Sequence, residues 1–181
     1  MNPRITINAC VLLALFLPSA ALAQGARLQL GHLDRLSEKA EETVDVTVDA
    51  AMLKETAGFL AGKGSDITKL HEVLQGITGI YVKSFEFDAP NAYTMADVDA
   101  VRKQLAAPGW SRIVGIREKH ELTEIYLWKD GDTNGGLAVI SAEPNELTIV
   151  NIVGRVDLGS LGALGPMIPN IPGVLRKPVP R

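Results

Sequence analysis

The stretch Thr43-Val44-Asp45-Val46-Thr47-Val48-Asp49 alternates strictly, placing three valines on one side of an extended chain and polar groups on the other, and so predicts a half-buried strand. Asp49 stands where it can cap a helix running from Ala50 to about Ala61, in which Met52, Leu53, Thr56, Ala57, Phe59 and Leu60 recur at helical spacing until Gly62-Lys63-Gly64 stops it. Upstream, Leu28, Leu30, Leu33 and Leu36 predict a short amphipathic helix, and Asp66 opens a helical turn through Leu74. A second strand is expected over Ile80 to Phe87, with Tyr81, Phe85 and Phe87 on one face and Ile80 and Val82 on the other. Asp88-Ala89-Pro90-Asn91 ends it, and Thr94 with Asp97 resembles a capping box for a helix that buries Val98, Val101 and Leu105 and closes at Pro108-Gly109. From Trp110 the pattern becomes strands only, over 112–119, 122–128, 137–141 and 147–153. Short links such as Glu143-Pro144-Asn145-Glu146 favour an antiparallel meander.

Helices early and a meander late predict an α+β fold, a two-layer sandwich with helices packed on one face of a mainly antiparallel sheet. The N-terminus has its own pattern: Arg4, an apolar run from Ala9 to Leu17, then Pro18-Ser19-Ala20-Ala21-Leu22-Ala23, the layout of a secretory signal cut before Gln24. That run is about half of the ~20 residues a membrane span needs, so it reads as a removed address. The expected organisation is a signal peptide over 1–23, one α+β domain over 24–165 and a Pro-rich flexible tail over 166–181, in which Pro166, Pro169 and Pro172 recur every third residue. A bacterial periplasmic or extracellular location follows.

Composition narrows the options. Cys10 falls within the signal, so the mature chain is expected to hold no disulfide, thiolate metal site or cysteine nucleophile. The 18 Lys and Arg residues include Arg4, and its removal leaves 17 against 21 acids, a balance of −4 that argues against nucleic acid and anionic lipid.

The candidate chemistry is sparse. Asp130, Asp132, Asn134 and Gly135 match the first half of a calcium loop, but Ser141 stands where the bidentate glutamate belongs, and Asp, Asn and Gly are equally the residues of a polar hairpin. His71-Glu72-Val73-Leu74-Gln75 lacks the second histidine of a zinc-protease helix, and His120-Glu121-Leu122-Thr123-Glu124 lies in a strand or its turn, too extended to chelate. Glu41-Glu42 and Asp97-Asp99 are too close in sequence to face each other across a cleft, and Ser65 and Ser160 lack the glycines of a nucleophile elbow. No complete catalytic motif is present, and no cofactor is expected beyond the calcium option. Tyr81, Phe85, Phe87, Tyr126 and Trp128 either line an aromatic binding face or pack the core.

Val44-Asp45-Val46-Thr47-Val48, the helical stretch Ala51 to Leu60, Gly79-Ile80-Tyr81-Val82 leading to Phe85, Trp110 opening a strand, and Leu147-Thr148-Ile149-Val150-Asn151-Ile152-Val153-Gly154 running into Val156-Asp157-Leu158 together resemble the bacterial exported domain of unknown function DUF4252, over about Leu30 to Leu164. The resemblance implies a small envelope protein with no catalytic residues to carry over, and it suggests a link to envelope-stress signalling. The expected function is a non-enzymatic protein-binding module with an envelope protein as partner. The alternative is a small-molecule or calcium-binding periplasmic protein.

Overall fold

In the computed structural model, the described residues are 25–53, 55 and 76–156, with Asp130 described in its backbone alone. They form six strands: β1 (Glu42–Asp49), β2 (Ile77–Glu86), β3 (Trp110–Glu118), β4 (Glu121–Asp130), β5 (Thr133–Glu143) and β6 (Glu146–Gly154). The α-helix α1 (Met95–Leu105) lies between β2 and β3, and a 3-10 helix covers Gly31–Leu36. The sheet order is β1-β2-β6-β5-β4-β3, and every neighbouring pair is antiparallel. β3 to β6 form the expected meander, while β2 returns to pair with β6 and carries β1 on its outer side.

The strands form where alternation and hairpin chemistry demand them. Pro144-Asn145 alone separates β5 from β6, and Gly131-Asp132 alone separates β4 from β5. Gly131 has φ +59, the left-handed conformation that a two-residue hairpin turn needs and glycine supplies without strain. The expected helix at the N-terminus is instead a segment without regular secondary structure followed by the 3-10 turn. Leu28 and Leu30 are two apart, the period of extended chain, whereas Leu33 and Leu36 are three apart and stack on a 3-10 helix. All four leucines are buried. The helix expected after Asp49 begins as anticipated, with Asp49 Oδ1 accepting from the backbone N–H groups of Ala51 and Met52, and residues 50–53 and 55 are helical. Its remainder, the turn over 66–74, the signal and the tail lie outside the described residues.

The fold is more sheet and less helix than the alternation of elements suggested. Apolar side chains are buried on both faces of the sheet. One face carries Phe85, Leu147, Ile149, Ile140 and Tyr126 in a cluster that Leu33 and Leu36 of the 3-10 helix and Val98, Val101 and Leu105 of α1 join. The other carries Ile80, Val82, Val150, Ile152, Val139 and Ile125, with Leu53 and Val156 against them. Burial on both faces is why β5 and β6 read as near-continuous apolar runs rather than alternating ones.

Candidate functional site

On the α1 face, polar side chains hold elements together. Glu124 is nearly buried in the middle of β4, and its carboxylate accepts from Arg102 Nε at 2.8 Å and Nη2 at 3.1 Å, from Arg112 Nη1 at 2.8 Å and from the Tyr126 hydroxyl at 3.0 Å. Burial pushes its pKa up, but the bonds from Arg102, Tyr126 and Arg112 outweigh that and hold it below the ordinary carboxylate value. The hydrogen bond to Glu124 raises the Arg102 guanidinium in turn, and Asp99 adds to it at 2.9 Å. Helix α1 is thus fastened to β4 and β3 through one carboxylate with no spare acceptor capacity. A second fastening is Asn151, which accepts from Leu28 N and donates to the Ala26 and Leu137 carbonyls, stitching the N-terminal segment to the sheet. Asp97, buried at the head of α1, caps Thr94 and pairs with Arg35. These groups are fully occupied with one another, and their arrangement is that of structural ties.

The five aromatic residues named from sequence do share this face, but they do not form one open surface. Phe85 and Phe87 are buried with ring centroids 6.5 Å apart, and Tyr93 stacks on Phe87 at 5.9 Å. Tyr126 is buried with its hydroxyl on Glu124, and Trp128 packs against Gly109. Trp128 and Tyr81 are half-buried, and the Arg27 guanidinium lies 4.5 Å above the Tyr81 ring. Asp132 is exposed at the tip of the β4–β5 hairpin, Asn134 lies within β5 opposite Lys129, and the backbone of Asp130 pairs with Thr133. Among the described residues, no group of three or more His, Cys, Asp or Glu side chains could hold a metal ion. His32 and His120 are exposed, and His71 lies outside the described residues.

The other face holds an arrangement that the sequence did not announce. Glu42 of β1 lies opposite Glu86 of β2, Glu86 opposite Glu146 of β6, and Glu146 opposite Glu143 of β5. Glu121 of β4 lies one step beyond the Leu122–Ala142 pair, opposite Glu143, and Glu118 of β3 lies opposite Glu121. Every strand therefore contributes one glutamate to a single row at one end of the sheet, and residues directly opposite share a face. Behind it comes a row of hydroxyls, Ser84, Thr148, Ser141 and Thr123, in which Ser84 and Thr148 share a hydrogen bond of 2.6 Å, followed by the apolar rows of Val46 and Val48. The like charges leave their mark. Glu143 is pushed up by burial and then by Glu146 and Glu121, and Glu41 is raised by a hydrogen bond and repulsion from Asp88 and by Glu86 and Glu42. The sequence signal was the pair of hairpins Glu118-Lys119-His120-Glu121 and Glu143-Pro144-Asn145-Glu146, each with two residues between glutamates.

The row ends at two unlike edges. β3 has a bulge between Arg112 and Val114 that breaks its register and leaves Ile113 exposed. β1 pairs with β2 through eight consecutive residues without a shift, contains no proline, and pairs with no other strand among the described residues. Val44, Val46 and Val48 are half-buried along it. A cleft of about 780 Å³ opens elsewhere, between the start of α1 and the β3–β4 and β5–β6 turns, lined by Tyr93, Met95, Arg117, Lys119, His120 and Glu143 among others. Tyr93 donates its hydroxyl to the Glu143 carbonyl, and burial, with the charges of Glu143 and Glu146, pushes its pKa up to about 12.

An open antiparallel sheet with structural ion pairs, and with one unbroken edge that no other described strand pairs, defines a class of small, sheet-dominated domains. The chain belongs to the DUF4252 family, a domain of unknown function, whose profile matches residues 37–164. No curated protein and no solved structure matches it. No helix among the described residues is long and apolar enough to cross a membrane.

Proposed function

We propose that this protein is an exported, non-enzymatic envelope module that binds a protein partner through a free edge of its sheet. The observation that carries the reading is β1: eight residues in unbroken register with β2 on one side, and unpaired by any other described strand on the other. Such an edge offers a row of backbone donors and acceptors to an incoming strand, the means by which many domains capture extended peptides. The amino-terminal pattern of Arg4, the apolar run and Ala21-Leu22-Ala23 supports export. In this reading α1 and the 3-10 helix form a helical layer over one sheet face, their ties through Glu124, Asn151 and Asp97 keeping the sheet rigid enough to present its edge. A role in envelope-stress signalling rests on the family alone and is part of the proposal.

The test is crosslinking of the tagged protein in its native envelope, followed by affinity capture and mass spectrometry against an untagged control. An enriched envelope protein, absent from the control, is the expected result; reproducible recovery of none removes the reading. The cleft beside Tyr93 favours a second reading, a small-molecule site, because its volume lies within the ~300–1,000 Å³ of ordinary ligand pockets. Calcium enters only through the Asp130, Asp132 and Asn134 loop, and titration calorimetry at millimolar calcium tests it.

A further inference from the structure

The β1 edge carries more than free backbone groups. Its sheet-face side chains run Glu42, Val44, Val46, Val48, so a strand added beside it would meet an acid at one end and three half-buried valines along the rest. Glu42 makes no ion pair among the described residues, whereas Asp45 on the opposite face is held by Lys83 at 2.6 Å and Asp49 is engaged in capping. Glu42 also terminates the glutamate row, with Glu86 beside it and Glu146 next. An acidic residue placed beside it would extend the repulsion by one strand, a neutral one would leave it as it is, and a basic residue would relieve it.

The same charges decide among occupants. A second copy adding β1 against β1 in antiparallel fashion, centred on Asp45, places the two Asp45 side chains opposite each other. A second copy adding its β3 in line with the row sets Glu118 beside Glu42, and the bulge at Ile113 interrupts the pairing. Centred on Val46 instead, the same pairing sets valine beside valine and Asp45 beside Thr47, so charge disfavours only those registers; the like-charged Glu42 and Glu86 at the end of the row are what favour a foreign cationic strand. Resting on the protein-binding reading above, we infer that β1 accepts an extended cationic segment of a partner protein as a seventh strand, with alternate apolar side chains beside Val44, Val46 and Val48 and a Lys or Arg beside Glu42.

The experiment uses the full chain and two synthetic probes: the peptide Lys-Thr-Val-Thr-Val-Thr-Val-Thr-Lys, whose lysines and valines fall on one face, and its twin with glutamate in place of both lysines. The basic peptide is expected to bind at least about ten-fold more tightly than the twin at low salt, a preference that added salt reduces. Glu42→Lys, which gains Glu86 as an opposite-charge neighbour and so keeps the strand, is expected to reverse the preference, whereas Glu118→Lys on the other edge leaves it unchanged. Equal binding of the two peptides, or the same preference in wild type and Glu42→Lys, overturns the inference. So does self-association of Glu42→Lys without peptide binding, because the acid then serves only to keep copies apart. The reading and the inference fail separately: a partner whose in-cell capture is undiminished by Glu42→Lys overturns the inference and leaves protein binding standing, while capture of no protein removes the reading itself.

Discussion

Glu124 is the residue on which most of the α1 face depends, and its chemistry fixes what its loss does. Replacing it with Gln removes the buried charge on which two partly exposed guanidinium groups converge, so we expect a loss of about 1–3 kcal/mol in urea unfolding, the range for charge-assisted hydrogen bonds whose remaining partners can reach water. Because the folded-state pKa is lowered, this contribution is present above the ordinary carboxylate range and is lost as the pH falls through the folded value. Glu143 carries the opposite sign. Its folded pKa is raised, so its contribution is present in acid and lost as the pH rises through the folded value. Glu143→Gln is therefore expected to unfold at higher urea than wild type at pH 7 and to match it near pH 3. Gly109 is a third dependent position: it has φ +96, and a β-carbon there would lie 2.5 Å from Trp128 Nε1. Gly109→Ala combines backbone strain with a clash, and we expect it to lower stability by about 1–3 kcal/mol in the same assay.

Elements were largely legible because each is announced by local chemistry. The Thr94–Asp97 capping box, the Val98, Val101 and Leu105 stripe and the Glu143-Pro144-Asn145-Glu146 turn all stand in the structure where the residues place them. Thr94→Ala removes one half of the box and is expected to cost ~1 kcal/mol of stability. The misses have physical reasons. Leu28 to Leu36 mixes spacings of two and three, which no single helix satisfies, and the chain divides into an irregular piece and a 3-10 turn. The polar run after Asp130 is the hairpin its residues suggest, but Gly131-Asp132 suffices to reverse the chain, so β4 runs on to Asp130 and β5 starts at Thr133 rather than Leu137. Asn151 read as one polar residue within an apolar strand; only the tertiary fold brings the backbone of Ala26 and Leu28 to it. Asn151→Ala leaves those groups unpaired, and hydrogen exchange over 26–30 is expected to accelerate more than elsewhere.

At the scale of the whole molecule, strand order creates what no segment contains. Six glutamates that each mark the end of one strand become a single row only when β6 inserts between β2 and β5, and the same order leaves β1 and β3 as edges. The sheet and its meander could be read from alternation and turns, but the row and the choice of edge required register, because a slip of one residue would send each side chain to the other face. The aromatic residues illustrate the converse: their shared face was legible, whereas the burial of Phe85, Phe87 and Tyr126 in one cluster with side chains of α1 and the 3-10 helix was not. In the proposed function, β1 is the edge that receives a partner. Hydrogen exchange across the full chain, with and without the basic nine-residue peptide, tests it most directly. Slowed exchange confined to 42–49 is the predicted result, and unchanged β1 amides alongside protection at β3 or in the cleft beside Tyr93 would contradict it.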